Sequence, residues 1–141
     1  MDTKIISVDR DSAVPGAFSG VIECLHNGGV IAFPTETVYG LGALCDNPSA
    51  IERIYAVKNR DKSKPLGYYI HDLSQLEKFK LMSSKSADMI LEQLLPGPYT
   101  VLMNDQEGKK LGFRYSSDPI ITTLLKSGIP LIRGTSANIS N

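Results

Sequence analysis

An apolar run, Val30-Ile31-Ala32-Phe33, breaks at Pro34 and gives way to Thr35-Glu36-Thr37-Val38-Tyr39-Gly40-Leu41-Gly42. A β-branched and aromatic run halted by proline reads as a buried strand that ends in a loop. The nine residues from Pro34 to Gly42 hold two threonines, a glutamate, a tyrosine and two glycines. Hydroxyls beside glycine suit a loop whose backbone approaches a polar ligand closely. A ligand-free turn from strand to helix fits the same residues.

Around this stretch, strand and helix signals alternate. Ile5 to Val8 reads as a short strand. Pro15 opens a helix with Phe18, Val21, Ile22 and Leu25 on one face, and Asn27-Gly28-Gly29 closes it. Asn47-Pro48 caps a second helix, which carries Ile51, Ile54 and Tyr55 and stops near Lys58. Leu66 to His71 reads as a strand. Ser84 to Leu95 reads as a helix with Ala87, Ile90, Leu91 and Leu94 as its stripe, ended by Pro96-Gly97-Pro98. Tyr99 to Met103 and Leu111 to Tyr115 form a strand pair around a Gly108 turn. Asp118-Pro119 starts a helix through Lys126, and Pro130 to Ile132 is a last strand running into Gly134-Thr135-Ser136-Ala137-Asn138. This order predicts an α/β fold, a twisted sheet with helices packed on it. The strand pair makes the sheet mixed parallel and antiparallel. The length, 141 residues, suits one domain over 1–141.

Charge narrows the partners. Fifteen Lys and Arg balance fifteen Asp and Glu, so bulk charge does not mark a nucleic-acid binder. Local cations remain: Lys58-Asn59-Arg60-Asp61-Lys62-Ser63-Lys64 either clamps a polyphosphate or is a solvated loop. Arg114 is the one charge in Leu111-Gly112-Phe113-Arg114-Tyr115. A cation among apolar residues needs a partner. A substrate carboxylate and a structural salt bridge both qualify. Thr135-Ser136-Ala137-Asn138-Ile139-Ser140 either hydrogen-bonds phosphate or ribose, or caps a helix.

Other chemistries find no residues. The chain has neither a P-loop nor a G-x-G-x-x-G fingerprint. His26 and His71 lack metal spacing, and no Ser/His/Asp arrangement emerges. Cys24 and Cys45 make no metal motif and no disulfide framework, which points to a reducing, cytoplasmic setting. No signal-type apolar region opens the chain, and no apolar run approaches the ~20 residues that span a bilayer. No membrane partner is expected. An enzyme of this composition works by orienting reactants and neutralising charge.

Taken together, Pro34-Thr-Glu-Thr-Val-Tyr-Gly-Leu-Gly42, Lys58-x-Arg60 with Lys64-Pro65-Leu66, Pro96-Gly97-Pro98-x-Thr100, Gly112-Phe113-Arg114 and Thr135 to Ser140 resemble the YrdC-like family in identity and order. The resemblance covers the chain from about residue 15 onward. It implies a concave cleft lined by cations on a mixed α/β sheet. It also implies threonylcarbamoyl-AMP synthesis: L-threonine, bicarbonate and ATP give threonylcarbamoyl-adenylate and pyrophosphate, with Mg2+ accompanying ATP. A threonylcarbamoyl transferase complex then modifies tRNAs that read ANN codons. The alternative within the family is a non-catalytic paralogue or fragment that binds nucleotide, double-stranded RNA or tRNA.

The resemblance also implies roles. Thr35 and Thr37 face the threonine and carbamate end. Arg114 is the fork for the threonine carboxylate, and Ser136 bonds the amino acid. Lys58, Arg60 and Lys64 hold ATP phosphates, and Asn138 holds the nucleotide. Tyr69 stands where many members have a threonine-contacting His. No residue is assigned as a covalent or acid–base catalyst, and no metal ligand is assigned. Asp61, Lys64, Leu95 and Ser116 depart from the family pattern, in which Pro, Asn, Trp and Pro are usual. The chain is also expected to be C-terminally short relative to the family, lacking an S-T-[IV]-[VI]-D element that closes over the nucleotide.

Overall fold

Caps and prolines set where the helices begin. The computed structural model describes residues 2–139. A 3₁₀ turn, Pro15–Phe18, leads into α1, Ser19–His26. In α2, Pro48–Lys58, the Asn47 side chain accepts from the Ala50 N–H at 3.0 Å and proline fills the first turn. Asn59 ends α2 in the left-handed region, with φ 48°. Ser84 caps α3, Lys85–Leu94, through the Ala87 N–H. Asp118 caps α4, Pro119–Lys126, through the Ile120 N–H at 2.9 Å.

Among the described residues six strands form one sheet: β1 Ile31–Phe33, β2 Gly40–Leu44, β3 Gly67–Tyr69, β4 Thr100–Asn104, β5 Lys110–Arg114 and β6 Ile132–Ser136. Their spatial order is β1-β2-β6-β3-β5-β4. Only β3 and β5 run parallel; the other neighbours are antiparallel. The sheet is therefore mixed, as the sequence predicts.

Side chains alternate across a strand, and residues paired across a ladder share a face. Register thus places Phe33, Gly40, Ile132, Gly134, Ser136, Gly67, Tyr69, Gly112, Arg114, Thr100 and Leu102 on one face. Half of that face is covered. Phe33, Leu44, Tyr69 and Ile132 pack there with Phe18 and Leu25 and with Ile121, Leu124 and Leu125 of α4. The half carrying Gly67, Gly112 and Gly134 is left bare by those helices. On the opposite face α2 packs Ala50, Ile51 and Ile54 on Ala43 and Leu66. The 3₁₀ helix Leu73–Phe79 packs Leu76 and Phe79 against Phe113, Leu111 and Tyr68.

Four expectations change. Ile5 to Val8 forms no strand. Ile6 lies near Gly20 of α1 and Val8 packs on the main apolar cluster, so the segment packs through side chains and pairs with no strand. Gly40-Leu41-Gly42, read as loop, is the start of β2, paired with β1. The last strand begins at Ile132, and continues through Gly134-Thr135-Ser136 because β2 offers them a full ladder. In α3 only Leu91 is buried, and Ile90 is exposed.

Candidate functional site

The bare half of the sheet is a pocket of about 320 Å³. Its lining includes Gly67, Tyr69, Thr100, Arg114, Gly134, Thr135 and Ser136, together with Arg60 and Pro65. Glycine makes this floor. A Cβ on Gly67 would stand 3.4 Å from the Gly112 carbonyl oxygen and reach up into the space a ligand would take. Beside the floor, Tyr69 meets the edge of Phe33 at 4.9 Å between centroids. A Cβ on Gly40 would come within 2.7 Å of the Phe33 ring and 3.2 Å of the Tyr69 hydroxyl. The glycines of β2 thus let two aromatic rings lie close against the sheet.

The Thr35–Val38 loop is folded on its own hydroxyl. Thr35 Oγ1 donates to the Val38 carbonyl at 2.6 Å and accepts from the Thr37 N–H at 3.3 Å. Such side-chain turns are what threonine supplies in a loop. Arg114 reaches across from the end of β5. Its Nη2 donates to Thr37 Oγ1 at 2.6 Å, to Glu36 Oε1 at 3.3 Å and to Thr35 Oγ1 at 3.4 Å. The second Glu36 oxygen accepts from the Ser116 hydroxyl. Ser116 is buried and also accepts from the Asp118 N–H. Among the described residues, Arg114 Nε is buried with no hydrogen-bond partner. Glu36 is the carboxylate that pairs with Arg114 in this structure.

Tyr69 runs alongside Arg114 in the parallel register. Burial pushes its phenol above the ordinary value, with Arg114 acting the other way. The hydroxyl is therefore a neutral donor and acceptor.

At the far side, Ser136 donates to Asn138 Oδ1. The backbone here is braced by Lys58, whose Nζ donates to the carbonyls of Ser136 and Asn138. Lys58 is 5% exposed at the end of α2. Burial first, then the charge on Arg60, holds its ammonium below the ordinary range. Arg60 donates to the Lys64 and Pro65 carbonyls at 3.0 and 3.2 Å. Lys62 pairs with Glu52.

Of the residues singled out from sequence, Arg60, Tyr69, Arg114 and Ser136 line the pocket directly. Thr35 and Thr37 join it through Arg114, and Lys58 and Asn138 through Ser136. Lys64 reaches the group through its carbonyl, on Arg60 and on the Tyr55 hydroxyl. Ser140 lies outside the described residues. Glu36 and Ser116 carried no role in the sequence reading. The available signal was a lone carboxylate between two threonines, in a chain that must neutralise a lone arginine elsewhere.

The fold is thus a mixed α/β sheet with a glycine-floored cleft, rimmed by hydroxyls and guanidinium groups. The family model Sua5/YciO/YrdC, described as "Telomere recombination", matches residues 23–141, and the chain belongs to this family. A threonylcarbamoyl-AMP synthase of Bacillus subtilis (strain 168) is 34% identical over 127 residues, covering 82% of this chain and 36% of that protein. A Methanocaldococcus jannaschii relative is also 34% identical, over 81% of this chain and 56% of its own length. The chain thus spans between a third and somewhat over half of these relatives. A P. abyssi Sua5 crystal structure, complexed with L-threonine, matches with a TM-score of 0.81 at 30% identity, covering 89% of this chain and 40% of that one. Among the described residues no helix is long and apolar enough to cross a membrane.

Proposed function

We propose that this chain is a threonylcarbamoyl-AMP synthase domain, acting in the cytoplasm on L-threonine, bicarbonate and ATP. One observation carries the reading. The half-buried guanidinium of Arg114 donates to the threonine-rich loop and shares one pocket lining with Tyr69 and Ser136. An α-amino acid needs that set: a fork for its carboxylate and hydroxyls for its other polar atoms. The relatives named threonylcarbamoyl-AMP synthase and the threonine-bound Sua5 structure point the same way.

In this reading Arg114 grips the threonine carboxylate, with Ser136, Tyr69, Thr35 and Thr37 around the amine and the side-chain hydroxyl. The amine takes up bicarbonate to give a carbamate and water. A carbamate oxygen then attacks the α-phosphorus of ATP, and pyrophosphate leaves. Arg60, Lys64 and Lys58 neutralise the triphosphate, and Asn138 holds the nucleotide. Lys58 gives two of its three N–H donors to the Ser136 and Asn138 carbonyls, so the third is left for a phosphate, and an approaching anion restores the proton affinity that burial lowers. Among the described residues no three His, Cys, Asp or Glu side chains group as a metal site. Mg2+ accompanying ATP would be held by its phosphates beside Arg60 and Lys64 and would supply charge neutralisation for the leaving pyrophosphate. The product serves a threonylcarbamoyl transferase that acts on tRNA.

The test is pyrophosphate release from ATP. It should require both L-threonine and bicarbonate. ATP binding with no adenylate formed would leave a nucleotide- or RNA-binding module instead.

A further inference from the structure

We propose that Glu36 is a built-in occupant of the Arg114 fork, one that an incoming carboxylate must displace. The proposal rests on the reading of Arg114 as a carboxylate fork and gives that site its affinity control.

A guanidinium grips a carboxylate with two parallel N–H bonds. It offers two edges for this, Nη1 with Nη2 and Nε with Nη2. Both edges include Nη2. That nitrogen is the one held at Glu36 Oε1, 3.3 Å away, and at Thr37 Oγ1, 2.6 Å away. Nε, the other half of one edge, is buried without a partner among the described residues. The protein's own carboxylate thus sits at half of a fork whose other half is empty-handed. Nη2 has two N–H groups shared among three loop acceptors, so a two-bonded ligand on either edge takes one of them, and Glu36 is the acceptor whose charge the ligand replaces.

The retreat is provided for. Glu36 keeps a second anchor, because Ser116 donates to its other oxygen. Its side chain is 17% exposed, so rotation brings the freed oxygen to water without leaving a buried, unpaired charge. Ser116 is itself fixed from below by the Asp118 N–H at 3.1 Å. Glu36 therefore has a defined resting place on either side of the exchange. The loop moves with it, since Thr35 and Thr37 flank Glu36 and share the same nitrogen. The exchange favours ligands with a full negative charge. A neutral amide would evict Glu36 without replacing its ion pair.

A positioning role predicts the opposite sign. If Glu36 only orients Arg114, removing its charge weakens carboxylate binding. If Glu36 competes, removing its charge strengthens it. The experiment is an NMR titration of the Arg114 Nε–Hε signal, with acetate as a bare carboxylate and with L-threonine. The proteins are wild type, Glu36→Gln, Ser116→Ala and Glu36→Gln/Arg114→Ala, the double variant being followed by calorimetry.

Acetate should bind Glu36→Gln about three- to tenfold more tightly than wild type, the range of one partly exposed charged hydrogen bond. Ser116→Ala should move the same way by less, and the double variant should lose the gain. Unchanged or weaker acetate binding in Glu36→Gln overturns the proposal. An acetate gain together with no L-threonine binding by wild type upholds it, and overturns only the assignment of threonine as substrate.

Discussion

Tyr69 is the residue where the core and the pocket meet. Its ring belongs to the main apolar cluster, yet it lines the open cleft. Its phenol is held above the ordinary value of about 10, chiefly by burial. The native state therefore keeps a proton that the unfolded chain sheds. Stability from this group is full below about pH 10 and is lost as pH rises through the folded value. Tyr69→Phe keeps the edge contact with Phe33 and removes the titration. Urea midpoints measured from pH 8 to 11 should fall less steeply in Tyr69→Phe than in wild type. The slope will not vanish, because Tyr115 is also raised by burial. Parallel curves for the two proteins would show that the Tyr69 phenol is not shielded from water.

At the scale of elements, the pairing of β2 with β6 carries the site, and glycine makes the pairing possible. A Cβ on Gly134 would lie 2.3 Å from the Leu41 carbonyl oxygen and 3.1 Å from the Tyr69 ring. The first obstacle is backbone held in a ladder, so it cannot swing aside. Gly134→Ala should cost about 1–3 kcal/mol, read as a lower urea midpoint. Gly16→Ala is the control: nothing lies within 4 Å of its Cβ, and its midpoint should hold. These glycines also mark the limit of sequence reading. Helices with proline and an asparagine or aspartate cap were legible, because Asn47-Pro48 and Asp118-Pro119 state their boundaries locally. Gly40–Leu44 and Gly134–Ser136 were not, because glycine is a poor strand former and its reason for being there is a partner far along the chain. For the same reason Arg114 was legible as a cation in need of a partner. Glu36, 78 positions away, was not identified as that partner.

Across the whole molecule, one face of the sheet is divided in two. Phe33, Tyr69 and Ile132 bury one half under α1 and α4, while the glycine half stays open. A polar chain spans the boundary. Arg10 bonds the fully buried Asp118; the Asp118 N–H bonds Ser116; Ser116 holds Glu36, and Glu36 pairs with Arg114. The covered half thus fixes one end of the network that the open half presents to a ligand. Arg114 and Arg60 both line the pocket, and each is held by different neighbours. Two ligands that use these two arginines separately should stabilise the fold separately. Binding at 100 times Kd adds about 2.7 kcal/mol. For a chain of 141 residues that raises Tm by roughly 9 °C. L-threonine and ATP should each raise Tm in a thermal shift assay. Arg114→Ala should abolish the threonine shift and keep the ATP shift. Loss of both shifts in a variant with wild-type circular dichroism would mean that Arg114 organises the whole cleft and not its amino-acid end alone.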